Sequence, residues 1–325
     1  MDLNSVLLLA AVSGYGDVVD GYPSWDERAV HLWTNAARVD PQAFNDEYNN
    51  AYQPCDVSID FQSEERIPKA PLYYTPPLNE SARFHSQDMS DNSWFDHNSS
   101  DGTPFPDRVS RFYTDSGMVG ENIAMGYPSA YDTVFKGWMC SAGHRQNIMT
   151  AGYVELGTGV VTSYYTQNFG GGEADSASPV RMGLHHPEKP EQAELTTFYA
   201  DYEGTGLITL DVWVDGKPES MALLYGEAEM GVYVAEKNLS RSGCSEYYFE
   251  VVDDSGSYLI PEDGSWLGGK TCDGLWVEGH KGKDIDLDPE TMLDDVYLIG
   301  CSSTGTRGGL MALAMFGLLA LRRTS

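Results

Sequence analysis

Gly120-Glu121-Asn122-Ile123-Ala124 and Gly143-His144-Arg145-Gln146-Asn147-Ile148, with Trp138 between them and Trp94-Phe95-Asp96-His97 ahead of them, decide how this chain is read. They carry two histidines and a glutamate on three separate stretches, so the pattern asks for a fold that gathers them at one cleft. Working outward, Ser24-Trp25-Asp26-Glu27 is a capping box, in which the serine oxygen and the glutamate carboxylate satisfy orphan amides at a helix start. Val30, Trp33 and Ala37 line one face of that helix. Asp40-Pro41 restarts a short helix with a cap and a proline at its first position. Leu78, Ala82, His85 and Met89 fall on one helical stripe, which points His85 inward. Pro128 opens another helix whose Ala130, Val134 and Trp138 share a face. Val154 to Val161 and Tyr164 to Phe169, turning near Ser163, read as a β-hairpin.

Five segments, in order, resemble a known family. They are Ala82-Arg83-Phe84-His85-Ser86-Gln87-Asp88-Met89, Phe95-Asp96-His97-Asn98-Ser99-Ser100-Asp101-Gly102, Gly120-Glu121-Asn122-Ile123-Ala124, Trp138 to Met149, and Gly157-Thr158-Gly159-Val160. Residues 24–170 are thereby similar to a CAP domain, of the cysteine-rich secretory, antigen 5 and pathogenesis-related superfamily, in its compact bacterial SCP-like form. The resemblance implies an α-β-α sandwich with an open cleft holding two histidines and two acids. By motif the histidines are His97 and His144 and the first acid is Glu121; Ser141 stands where the second acid usually lies, and His85 is the residue placed to compensate.

Two neutral imidazoles with water make an open site suited to a divalent metal such as Zn2+, with Glu121 orienting a histidine or taking a proton from bound water. Against that stands a structural role for Glu121, accepting backbone amides and tying the Gly120 turn to the histidine loops, and a core role for His85. Ser141 precedes His144 by three residues, but reads more simply as the N-cap of the following helix than as an activated nucleophile. Asn122 joins His85, His97, Glu121, Ser141 and His144 as a cleft candidate. No phosphate loop, dinucleotide fingerprint or HExxH pair is present.

The chain has 325 residues, which favours two domains. Residues 171–193 are rich in Gly, Ser, Pro, Glu and Lys and read as a linker, with His185-His186 as a solvated pair. The expected division is 20–170 for the CAP-like domain and 194–300 for an all-β domain, giving an α+β chain overall. In the second part Leu195–Ala200, Leu207–Val214, Met221–Tyr225, Gly231–Ala235, Tyr247–Val252 and Leu275–Val277 read as strands between turns such as Asp215-Gly216 and Asp263-Gly264. That spacing fits an immunoglobulin-like sandwich serving as a spacer or accessory binding module. Asp284, Asp286, Asp288, Asp294 and Asp295 read as a solvated acidic stretch.

A net charge of −29 excludes nucleic acid and anionic membrane surfaces as partners, since both would repel such a body. The cysteines divide into Cys55 with Cys140 and Cys244 with Cys272, one disulfide per half, as in an exported protein; the alternative is buried free thiols. Residues 1–19 include the apolar run Val6 to Val12 and read as a secretion signal with Asp2 in place of its basic start. At the other end, Cys301-Ser302-Ser303-Thr304-Gly305, an apolar run to Leu321 and Arg322-Arg323 resemble the surface-sorting tail of myxobacterial proteins. That resemblance implies membrane attachment through residues 301–325, with cleavage near Cys301. The expected protein is thus an extracellular, surface-held module binding a peptide, lipid or glycan, the alternative being a metal-assisted, peptidase-like hydrolase using His97, His144 and Glu121.

Overall fold

The computed structural model describes residues 14–43, 55, 61–115, 117–174, 176–190, 195–239, 244–270, 272 and 276–280. Helix α1 (Trp25–Val39) starts at the expected capping box: Glu27 N–H donates to Ser24 Oγ and Ser24 N–H to Glu27 Oε2. After strand β1 (Tyr73–Tyr74) come α2 (Pro76–Asn92), the short α3 (Phe105–Val109), strand β2 (Val119–Met125), a turn α4 (Ala130–Asp132) running into a π-helical turn (Thr133–Trp138), and α5 (Ala142–Met149). The hairpin β3 (Glu155–Val161) and β4 (Tyr164–Gly170) follows, and the four strands form one sheet in the order β1-β3-β4-β2.

The alternation along β3 and β4 makes the sandwich. Gly157 and Gly159 face α2, where an added Cβ would lie 2.0 Å from the backbone of Leu78 and Asn79, or 2.2 Å from that of Arg83. Only glycine permits so close an approach of strand to helix. The opposite face carries Thr158, whose hydroxyl donates to Glu27 O of α1. On α2 itself Leu78, Ala82, His85 and Met89 are all fully buried, as the stripe predicts.

The second part is built of antiparallel strands: β5 (Gly183–His186), β6 (Leu195–Glu203), β7 (Thr209–Val214), β8 (Lys217–Ser220), β9 (Ala222–Glu227), β10 (Met230–Asn238), β11 (Ser245–Asp253), β12 (Gly256–Ile260), β13 (Gly264–Gly268) and β14 (Trp276–Glu278). One sheet runs β5-β6-β10-β9 and the other β14-β13-β11-β7-β8, with β12 also on β11. Phe198 of β6 meets Tyr247 of β11 edge to face at 5.1 Å, closing the sandwich. Besides β5, three strands escape the alternation pattern. β8 is a polar edge strand holding Pro218, a residue sheets confine to edges, while β12 and β13 are short and border the Asp263-Gly264 turn. Disulfides join Cys55 to Cys140 and Cys244 to Cys272, as expected.

Two expectations need correction. Residues 171–193 are not a free linker, because β5 pairs with β6 and its Leu184 is buried together with the adjacent Val180 and Met182. His185 is accordingly buried rather than solvated, with Nδ1 at 2.8 Å from the Tyr247 hydroxyl and Nε2–H donating to Glu188 O. Helix α1 is also buried on more than one face. Arg28, His31, Asn35 and Arg38, which the amphipathic pattern would leave in solvent, are all enclosed. Arg28 donates to Gly183 O and the Tyr247 hydroxyl and lies 4.3 Å from the centre of the Trp266 ring. His31 and Asn35 both donate to Leu72 O, Asn35 also bonds Asp201 Oδ2 at 2.6 Å, and Arg38 donates to Ala70, Ile148 and Thr150 carbonyls. The helical sandwich and the β-region therefore share α1 as common core.

Residues 14–19, expected within the signal segment, pack on this body: Tyr15 donates to Arg181 O and accepts Tyr74 N–H. Among the described residues no helix is long and apolar enough to cross a membrane. The apolar run Val6 to Val12, the Asp284 to Asp295 stretch, Cys301 and the tail 301–325 lie outside the described residues.

Candidate functional site

The sheet order leaves β2 at an edge, and the site is built around that edge. Successive side chains of a strand point to opposite faces. Glu121, paired with Asn168 of β4, turns to the side of α2 and α3; Asn122, paired with Gln167, turns to the side of α5. Glu121 is 5% exposed and its carboxylate is saturated. Oε1 accepts His97 Nδ1–H at 2.9 Å, and Oε2 accepts Asn168 Nδ2 at 3.0 Å and the Arg108 guanidinium. Arg108, fully buried, also donates to His97 O at 2.9 Å, so it holds the histidine loop by backbone and side chain together. His85 Nε2 lies 4.0 Å from Glu121, beyond bonding reach, and donates instead to Asp96 O.

On the other face Asn122 Nδ2 donates to His144 O and to Gln167 Oε1, and Asn147 Nδ2 donates to Glu121 O and Asn122 Oδ1. The π-helical turn brings Trp138 Nε1 to Ile123 O at 3.1 Å. Asn147 and Trp138 thus occupy the outward carbonyls of the edge strand, which a bare edge would offer to another chain. Asn147→Ala is expected to cost about 1–2 kcal/mol through the orphaned acceptors; urea unfolding reads it, and a cost under about 0.5 kcal/mol would mean that water replaces the amide.

Beside the edge lies an open cleft of about 480 Å3. Ile123, Met125, Tyr127, Phe95 and Trp138 form its apolar wall, and Asp96, His97 and His144 its polar side. The two imidazoles are tuned apart. The hydrogen bond to Glu121 raises the His97 pKa above the usual histidine value, whereas burial, reinforced by the His97 charge, lowers that of His144. Burial also lowers His85, although Glu121 opposes the shift. His97 keeps Nε2 for a ligand because Nδ1 is tied to Glu121; His144 Nδ1 is buried without a partner.

Residues 25–171 match the family described as "Cysteine-rich secretory protein family", CAP. Residues 25–171 are a CAP domain. Among curated proteins, the uncharacterized protein YkwD of Bacillus subtilis is 38% identical over 123 residues, 37% of this chain and 47% of its own. The uncharacterized membrane protein YlbC of the same organism is 40% identical over 100 residues, 31% of this chain and 29% of its own. The chain thus spans less than half the length of each of these relatives. Among solved structures, an extracellular protein containing a SCP domain from Bacillus anthracis is 34% identical, covering 31% of this chain and 34% of that one, with a TM-score of 0.30.

Within the CAP domain the six candidates separate. His97 and His144 line the cleft; Glu121 sits behind His97 and reaches the cleft only through it; His85 is a core residue behind Glu121. Asn122 is fully buried as a strut between β2, β4 and the His144 loop. Ser141 occupies the N-cap position of α5, but its side chain makes no capping bond and it does not line the cleft. Its carbonyl takes Arg145 N–H while Arg145 itself pairs with Glu65 at 3.0 Å, so α5 is anchored by its arginine rather than by a serine cap. Sequence reasoning missed Arg108, Asn147 and Asn168. Asn147 stood inside a quoted motif without a role. Nothing near Arg108 distinguishes it from a surface cation, because Arg108 is on the short helix α3 and its partner Glu121 lies on strand β2.

For a metal, the donor set is short. Glu121 is consumed by Arg108, His97 and Asn168, and among the described residues no group of three His, Cys, Asp or Glu is placed to hold an ion. Two ring nitrogens remain, one fewer than catalytic zinc takes from protein.

Proposed function

We propose that this chain is an extracellular binding module, held at the cell surface through residues 301–325, whose CAP cleft captures a peptide, glycan or lipid ligand. The cleft wall supports this reading: an apolar side of Ile123, Met125 and Trp138 faces two imidazoles able to hydrogen-bond the ligand's polar edge. Extracellular placement draws on the paired cysteines and on the SCP-domain relative described as extracellular. A divalent ion belongs to this proposal only as a loosely held guest of His97 and His144.

The hydrolase alternative would have to use water as its nucleophile. Among the described lining residues Tyr127 alone carries a hydroxyl, and none carries a thiol. Glu121, neutralised by a buried guanidinium, is poorly placed to act as a base.

The test uses the full chain. Calorimetric zinc titration at neutral pH is expected to show binding no tighter than micromolar, abolished in His97→Ala/His144→Ala. A thermal-shift panel of short peptides, oligosaccharides and short-chain phospholipids should yield a ligand whose shift disappears in Met125→Asp, which puts a charge on the apolar wall. Hydrolysis of a casein substrate that vanishes with the two histidines would overturn the binding-module reading.

A further inference from the structure

On a different part of the body, the strap formed by residues 14–22 crosses the start of α2 and the turn after β12. It encloses a groove of about 790 Å3, larger than the 480 Å3 of the cleft. Tyr15, Val19, Tyr22, Tyr74, Pro76 and Pro77 give it aromatic and proline walls. Its charged residues are five acids and a single cation, Arg83.

Three of those acids serve the fold. Asp17 accepts the amides of Gly14 and Asp263, Glu155 accepts the Tyr113 hydroxyl, and Glu262 accepts Tyr15 N–H. Arg83 is also committed: its guanidinium lies 3.5 Å from the centre of the Tyr22 ring, donates to Asn79 Oδ1 and faces Glu27 at 3.6 Å. Asp20 and Glu80 remain, both exposed, and among the described residues neither has a hydrogen bond or an ion pair from its side chain. Burial, and more weakly the carboxylates of Asp263 and Glu262, raise the Asp17 pKa.

The occupant must match both the charge and the walls. A bare polyamine would answer Asp20 and Glu80 but leave Val19, 50% exposed, and Tyr22, 37% exposed, uncovered. We propose that the groove docks an extended, arginine-bearing peptide segment of a partner protein. Its apolar or proline side chains lie against Val19, Tyr22 and the Pro76-Pro77 corner, and its guanidinium groups pair with Asp20 and Glu80. The chain's net charge of −29 speeds the approach of such a partner.

Fluorescence anisotropy with the full chain and a labelled peptide of alternating proline and arginine tests this at roughly physiological salt. The arginine peptide is expected to bind and its glutamate counterpart not to. Asp20→Asn/Glu80→Gln should weaken binding by about tenfold or more, the scale of a lost pair of charge-assisted contacts. Both positions are exposed and unpartnered, so this variant is expected to keep the wild-type melting curve and circular dichroism. His97→Ala/His144→Ala should bind as wild type, which separates the groove from the cleft. The proposal is overturned by no binding, by affinity unchanged in the groove variant, by loss in the cleft variant, or by spermine competing at the peptide's own concentration.

Discussion

Glu121→Ala is expected to destabilise the CAP domain by about 3–5 kcal/mol, the range for stripping one partner from a buried charge pair. Arg108 is fully buried and Glu121 is its counter-charge, so the variant strands a guanidinium away from water. Asn168 and His97 lose an acceptor in the same step. The pair variant Arg108→Met/Glu121→Leu should recover most of the loss, since both charges then leave together. Urea unfolding of the three proteins decides it. If Glu121→Ala cost less than about 1 kcal/mol, the clamp described for the His97 loop would be wrong, and Glu121 would be available for chemistry in the cleft.

The second large effect concerns acid. His31 is enclosed by α1 and its surroundings, and burial lowers its pKa to about 4. His185 is pushed to about 3, first by burial and then by the Arg28 charge. In the unfolded chain both titrate near 6.5. Between that value and the folded value the unfolded state binds more protons, so the stability these rings contribute is present above about pH 6.5 and is lost as pH falls toward 4. For His31 the loss is on the order of 3 kcal/mol. Asp201, raised to about 6 by burial, works in the opposite sense, favouring the fold as pH drops through that value, and so does the raised His97. A comparison with His31→Gln removes these shared contributions, because the glutamine amide can still donate to Leu72 O. Wild type should lose about 3 kcal/mol more than His31→Gln between pH 7 and pH 4 in urea titrations; equal losses would refute the assignment.

Much of the fold was legible because its signals are local. The Ser24 capping box, the Leu78 to Met89 stripe and the β3-β4 hairpin each lie within one element, where periodicity and capping chemistry speak directly. The two histidines of the cleft were legible through their motifs. What escaped depends on partners far along the chain. Arg28 meets Tyr247 across 219 positions and Asn35 meets Asp201 across 166, so no window of sequence shows why these polar residues of α1 are buried. The same holds for His185, whose neighbourhood reads as a polar connector until Tyr247 is placed against it. Arg108 and Glu121 are only 13 positions apart, but they stand on a helix and a strand whose docking follows from the whole sheet.

The doubly enclosed helix α1 means that this protein is not a pair of beads on a string. A cut after residue 171 would leave Arg28 without Gly183, Tyr247 and Trp266, and Asn35 without Asp201, turning half of a core helix into an exposed polar and aromatic scar. Shuffling the β-region onto another CAP domain would therefore fail unless the recipient's first helix carried the matching residues. The two parts are expected to melt as one piece.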